Sequence, residues 1–128
     1  MIVFTAGHKT YAESLIRELD PSRNLVSAVL TRDHCYLHRG RRVKNLACLG
    51  RDLDSVVLVD NSIEAMAFDP DNGVLIKPFL GDENDRELLV LLEFLENLRG
   101  SGEGVRSFLR RELGIREKLE NALLDRII

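Results

Sequence analysis

The run Val56-Val57-Leu58-Val59, followed at once by Asp60-Asn61-Ser62, limits the fold more than any other stretch of the chain. Four consecutive apolar residues, three of them β-branched valines, suit a strand covered on both faces, as in a parallel sheet with helices above and below it. The acid, the amide and the hydroxyl then stand at the carboxyl end of that strand, the edge of an open α/β sheet where ligands bind. Ile2-Val3-Phe4 repeats the pattern and runs into Thr5, so two strands are expected to aim polar groups at one crevice.

The remaining segments alternate strand and helix, which places the chain in the α/β class. Tyr11, Ala12, Leu15, Ile16 and Leu19 recur at helical spacing until Asp20-Pro21 stops them. Val26 to Leu30 is β-leaning, so Ile2 to Leu30 reads as a βαβ unit. Thr31 to Lys44 is a polar excursion carrying Arg32, His34, His38, Arg39, Arg41, Arg42 and Lys44. A short helical turn over Asn45–Gly50, a helical segment over Ile63–Phe68, a turn at Pro70–Gly73 and a strand over Val74–Ile76 follow. Leu88, Leu91, Leu92, Leu95 and Leu98 predict an amphipathic helix over Asp85–Leu98, with Gly100 placed to end it. Beyond the joint Ser101–Gly104, Val105 to Ile128 favours helix, breaks near Gly114, and carries a second stripe at Leu119, Leu123 and Ile127. That stripe suits packing on its own domain, with a dimerisation helix as the other use.

At 128 residues, 45% hydrophobic and 30% charged, one domain is the default. A formal charge of −3 gives no general attraction to nucleic acid, so no direct nucleic-acid partner is expected. No run of about 18 apolar residues predicts a membrane span, and no leader pattern opens the chain. Cys35 and Cys48 match neither a disulfide framework nor a zinc site, and read as reduced, intracellular thiols serving as small buried hydrophobes. Met1 is followed at once by strand residues, so the chain is expected to begin inside its own fold.

Seven motifs then fall in a recognisable order: Phe4-Thr5-Ala6-Gly7, Thr31-Arg32-Asp33-His34-Cys35, His38-Arg39-Gly40, Val43-Lys44-Asn45-Leu46, Leu49-Gly50-Arg51-Asp52-Leu53, Val59-Asp60-Asn61-Ser62 and Pro70-Asp71-Asn72-Gly73. Together they resemble the small carboxy-terminal-domain phosphatases, or NLI-interacting-factor-like phosphatases, of the haloacid dehalogenase superfamily. The match runs from about Ile2 to about Leu98, so residues 1–100 are expected to form a truncated phosphatase-like domain and 101–128 a helical extension packing on that domain or on a partner. The resemblance implies a Rossmannoid parallel sheet flanked by helices. It also implies Mg²⁺-dependent hydrolysis of phosphoserine or phosphothreonine in a protein, through a phosphoaspartyl intermediate.

Residue by residue, Thr5 matches the hydroxyl that hydrogen-bonds the phosphoryl group, Lys44 the lysine that neutralises its charge, and Asp60 the acid that holds that lysine. Asn61 matches the side chain that ligates Mg²⁺. Arg32 falls where the family keeps an arginine near the substrate phosphate, and Tyr11 where an aromatic helps form the peptide pocket. These types suit the chemistry, because a transferring phosphoryl group spreads charge over its equatorial oxygens and catalysis is mainly positioning and electrostatic stabilisation. Taken alone, Thr5 is also an ordinary strand-end residue, Lys44 a solvated lysine, and Asp60-Asn61 a helix cap. Arg39, Arg41 and Arg42 suit an acidic or phosphorylated partner, or a solvated loop face.

The family's Asp-x-Asp-x-Thr/Val signature, which supplies the nucleophile and most of the metal site, belongs on a strand before Thr5, and Met1 falls after it. Asp20-Pro21-Ser22 and Asp69-Pro70-Asp71 lie in turns and are rejected as substitutes. The resemblance makes the missing strand central, between those ending at Thr5 and Asp60, and neighbouring strands lie about 4.8 Å apart, so its loss leaves a gap of about 10 Å. Another chain or segment fills the gap, as in a homodimer or strand-exchanged oligomer, or the sheet closes in a rearranged order, or the sequence is a fragment of a longer product. The function expected is therefore a phosphatase domain that is inactive as this chain alone. The alternative is a pseudophosphatase that binds protein or phosphopeptide, like the mitochondrial presequence-translocase relative. The compartment expected is intracellular, nuclear or cytoplasmic rather than mitochondrial.

Overall fold

The computed structural model describes residues 1–125, and it divides into two units, Met1–Asn45 and the residues from Leu46 onward. In the first unit, β1 (Ile2–Phe4) leads into α1 (Lys9–Leu19), which buries Ala12 and Ile16 and returns the chain to β2 (Ala28–Leu30). The two strands pair in parallel, with Ile2 opposite Ala28 and Phe4 opposite Leu30, as a βαβ reading requires. The second strand is shorter than the run Val26 to Leu30. Its first residue is diverted: the Val26 N–H donates to Asp20 Oδ2 at 2.8 Å, and the N–H groups of Leu25 and Asn24 also donate to that carboxylate. These backbone donors, Val26 first, hold the Asp20 carboxyl below its usual range.

The polar stretch after β2 is more ordered than a loop. Arg32–His34 form a single 3₁₀ turn closed reciprocally: the Thr31 side chain accepts from the His34 N–H, and His34 Nδ1 accepts from the Thr31 N–H at 3.0 Å. A hairpin follows, in which β3 (Tyr36–His38) pairs antiparallel with β4 (Arg41–Val43). The connection is the dipeptide Arg39-Gly40, with φ of 49° and 74°. Positive φ at both central residues is the two-residue turn whose twist matches that of a hairpin.

In the second unit, β5 (Leu58–Asp60) pairs in parallel with β6 (Gly73–Leu75), Leu58 opposite Gly73 and Asp60 opposite Leu75. Among the described residues the strands form three two-stranded sheets, β1 with β2, β3 with β4, and β5 with β6. The segment after β5 makes only a 3₁₀ turn, Ile63–Met66, rather than a helix to Phe68. Three helices complete the unit: α2 (Glu87–Ser101), α3 (Val105–Glu112) and α4 (Ile115–Leu124).

Two apolar clusters hold this second unit. Leu46, Leu58, Met66 and Ile115 form one, and Val74, Leu98, Phe108 and Leu109 the other, so the helices after residue 104 supply core to the strands before them. Gly73 is dictated by packing, because a Cβ there would lie 2.5 Å from Met66 Sδ. Beside it, Asp71 accepts from Arg110 and Arg116, each at 2.9 Å, and the Asn72 amide donates to the carbonyls of Leu53 and Val56. One acidic turn thereby joins α3, α4 and the segment before β5.

Some expected boundaries shift. Gly100 stays inside α2, which ends instead at Gly102, where φ is 70°. Only that position takes the left-handed turn that releases the chain, and Ser101 Oγ donating to the Leu98 carbonyl carries the helix past Gly100. Leu88 and Leu92, expected in the buried stripe of α2, are 69% and 55% exposed, because the inward face is formed by Leu91, Phe94, Leu95 and Leu98. Leu119 is buried in α4 while Leu123 is exposed, and Ile127 lies outside the described residues. Cys48 is exposed and Cys35 half-buried, so neither is the fully buried thiol expected.

Candidate active site

The carboxyl ends of β1 and β2 build one corner of polar chemistry. Thr5 continues the ladder, its N–H donating to the Leu30 carbonyl at 2.9 Å, and Arg32 donates its own N–H to the Gly7 carbonyl at 3.0 Å. Parallel register thus sets the segments Thr5–His8 and Thr31–His34 side by side. The Thr5 hydroxyl oxygen accepts from the Gly7 N–H at 3.0 Å. The oxygen accepts there, and the hydroxyl keeps its own proton to donate. The Arg32 guanidinium crosses the corner: Nε donates to the Ala6 carbonyl at 2.8 Å, and NH1 lies 2.9 Å from Nε2 of His8.

Gly7 is the residue here to which sequence reading gave no role. A Cβ on it would stand 3.2 Å from Thr5 Oγ1 and 3.5 Å from Cδ1 of Tyr11, so its bare backbone lets the loop turn back on Thr5. Tyr11, on the first turn of α1, keeps its ring at this glycine and is 64% exposed. Lys44, just after β4, is buried, and its ammonium lies 5.7 Å from the centroid of the Phe4 ring, within cation–π range. Thr5, Tyr11, Arg32 and Lys44 therefore all belong to the first unit.

Asp60 and Asn61 belong to the second, at the end of β5. Asp60 Oδ1 accepts from the Ser62 N–H at 2.9 Å, an Asx turn that starts the 3₁₀ segment, and Asn61 beside it is exposed. Mg²⁺ requires near-octahedral oxygen ligation and generally takes one or two carboxylates along with phosphate oxygens. Asn61 offers one amide oxygen, and among the described residues no three His, Cys, Asp or Glu side chains gather into a metal cluster. The residues present do not by themselves fit a Mg²⁺ site.

The chain contains acidic pairs at Asp-x-Asp spacing, and each is committed to structure. Asp69 Oδ2 accepts from the Leu46 N–H, and Asp71 is buried under its two arginines, which hold its carboxyl below the usual range, Arg116 first. A second pair, Asp52 and Asp54, flanks Leu53 in a 3₁₀ turn. Asp52 caps the Asp54 N–H at 3.0 Å, and Asp54 accepts from Arg106 at the start of α3. Asp20 is likewise filled by backbone donors. None of these carboxylates stands at the end of a strand.

Comparison with known proteins places these features in context. The family model described as NLI interacting factor-like phosphatase matches residues 1–106. CTD small phosphatase-like protein 3 of Caenorhabditis elegans is 40% identical over 93% of this chain and 42% of its own length. CTD nuclear envelope phosphatase 1 of Xenopus tropicalis is 39% identical over 88% of the chain and 46% of its own. A mitochondrial import inner membrane translocase subunit tim50 of Aspergillus fumigatus is 33% identical over 100% of the chain and 26% of its own. The chain thus spans less than half the length of these relatives. Among solved structures, the fission yeast RNA polymerase II CTD phosphatase Fcp1-R271A bound to beryllium fluoride shares the fold, with a TM-score of 0.51 and 20% identity over 97% of this chain and 35% of that one.

Proposed function

The chain belongs to the NLI interacting factor-like phosphatase family, and from that premise we propose that it carries the phosphate-recognising side of a protein serine/threonine phosphatase site. One observation supports this reading above the others: the parallel register of β1 and β2 brings Thr5 and Arg32 to adjoining strand ends, where Gly7 donates to the Thr5 hydroxyl and accepts from the Arg32 N–H. A hydroxyl donor and a guanidinium fixed at one strand edge suit the oxygens of a phosphomonoester. In this reading Thr5 donates to a phosphoryl oxygen, Arg32 pairs with the phosphate, Lys44 neutralises its charge, and Tyr11 packs against the peptide. Asp60 and Asn61 keep the roles the resemblance gives them, the acid that orients a lysine and a metal-ligating amide.

The same proposal has the chain inactive by itself. Its acidic pairs are occupied in turns, and no three ligating side chains gather among the described residues, so this reading takes the nucleophile and the remaining ligands from outside these 128 residues. The substrate class is a phosphoserine or phosphothreonine protein, met in the nucleus or cytoplasm.

The test is an assay of this polypeptide with p-nitrophenyl phosphate and Mg²⁺, where no turnover is expected. Clear activity that Asp60→Asn abolishes would sink the claim that an external aspartate is essential. Fusing an Asp-x-Asp strand ahead of residue 1 is expected to restore turnover. The incomplete metal donor set also favours a second reading, a pseudophosphatase binding module. Phosphopeptide affinity that persists while the fused form stays inactive would select it.

A further inference from the structure

His8 lies outside the seven motifs, yet it touches the one charged side chain that crosses the Thr5 corner. We infer that His8 is a positioning residue acting through Arg32, an inference that rests on the phosphate-binding role proposed for that arginine. A guanidinium has five N–H donors and no acceptor, so the 2.9 Å contact between NH1 and Nε2 requires the imidazole nitrogen to accept. The tautomer with its proton on Nδ1 leaves Nε2 free to accept, and it is the form this contact selects.

Three contacts then fix Arg32 against one loop. Its N–H reaches the Gly7 carbonyl, Nε reaches the Ala6 carbonyl, and NH1 reaches His8. Backbone and head group are held at successive residues 6, 7 and 8, so the planar fork has one orientation. NH2 donates to no acceptor among the described residues and remains to meet an anion. A flexible arginine loses rotamer freedom when it binds phosphate, and one already braced loses less, so His8 preorganises the fork.

The experiment uses the whole 128-residue chain and four forms of it: wild type, His8→Gln, His8→Leu and Arg32→Ala. Nitrogen NMR reads the His8 ring and the exchange of the Arg32 Nε–H, while inorganic phosphate is titrated into each form. In the wild type at neutral pH the Nδ1–H tautomer should dominate, and Arg32→Ala should erase that preference. His8→Leu should speed Arg32 Nε–H exchange and weaken phosphate binding by about fivefold, the worth of one ordinary hydrogen bond. His8→Gln keeps an acceptor and should restore both to within about twofold, whereas a merely space-filling role would favour leucine. A ring state indifferent to Arg32→Ala, with Nε–H exchange equal in all histidine forms, overturns the inference whether or not phosphate binds. If the tautomer and exchange behave as expected but the wild type binds no phosphate, the brace stands and the phosphate role of Arg32 fails.

Discussion

In the Met1–Asn45 unit the charged residue at the strand-end corner is Arg32, half-buried, tying one loop to the next through a carbonyl and an imidazole. In the unit that follows, the comparable residue is Asp71, 4% exposed and held by two arginines from two helices. A charge at a half-open corner can exchange its partners for a ligand at little cost to the fold. A charge enclosed by the elements it joins cannot, because parting it from them leaves it unpaired out of water. The first arrangement suits recognition and the second suits construction, and the apolar clusters of the second unit agree with that division.

The largest effect is expected from cutting into the second unit's core. Leu109 is 1% exposed, so Leu109→Ala should lower unfolding free energy by about 3 kcal/mol in urea titration. A loss under about 1 kcal/mol would mean that this core does not carry the fold.

Asp71→Ala should cost about 2 kcal/mol, toward the lower end for a broken buried pair because both arginines are themselves half in solvent. The pH dependence has a definite sign. The Asp71 carboxyl is held low by Arg116 and then Arg110, so its contribution is complete above the ordinary carboxylate range near pH 4 and is lost as pH falls through the lower folded value. Acid titration of stability should therefore be shallower below about pH 4 in Asp71→Asn than in the wild type, and identical curves would contradict the assignment.

Gly7→Ala tests the other side of the comparison. The added methyl would press on Thr5 Oγ1, so phosphate affinity should fall by about fivefold while stability changes by less than about 1 kcal/mol. A stability loss as large as that of Leu109→Ala would make the corner structural after all. The smallest effect belongs to Arg39→Asn in the hairpin turn, where φ is 49°. Asparagine tolerates that region better than arginine and should add about 0.5 kcal/mol, measurable as a small rise in the melting temperature.

Much of this could be read along the chain, because periodicity reports which faces are apolar. Tyr11 to Leu19 mark the helix, Ile2 to Phe4 one strand and Pro70 to Gly73 the turn before β6, while the strand expected from Val56 begins only at Leu58, because Val56 and Val57 follow the 3₁₀ turn of Leu53–Ser55. What periodicity cannot report is competition for a donor or a left-handed position. Val26 has strand character, but its N–H goes to Asp20, six residues earlier, so one carboxylate folds the chain back on itself. Gly100 and Gly102 are both plausible stops, and the choice fell to the one that takes positive φ. The hairpin was hidden by its turn residue, since Arg-Gly is a weak signal beside Asn-Gly. In the site, motif order singled out Thr5 and Arg32, whereas His8 and Gly7 became legible only when the two strand ends were set side by side.

Asn72-Gly73 carries a further consequence, a matter of chemical ageing. An asparagine followed by glycine is the sequence most prone to cyclise and deamidate when the backbone is free to bend. In the folded chain Asn72 is fully buried, its amide nitrogen is held by two carbonyls at 2.6 and 2.8 Å, and Gly73 is fixed in β6. The native state therefore protects the bond, and the unfolded state exposes it. Deamidation would put a carboxylate against the two carbonyls of Leu53 and Val56, which an anion cannot satisfy, so a molecule altered while open could not close well again. Each excursion to the unfolded state becomes a chance of permanent loss, and peptide mass analysis after incubation in denaturant should find the change at Asn72 far sooner than incubation in buffer.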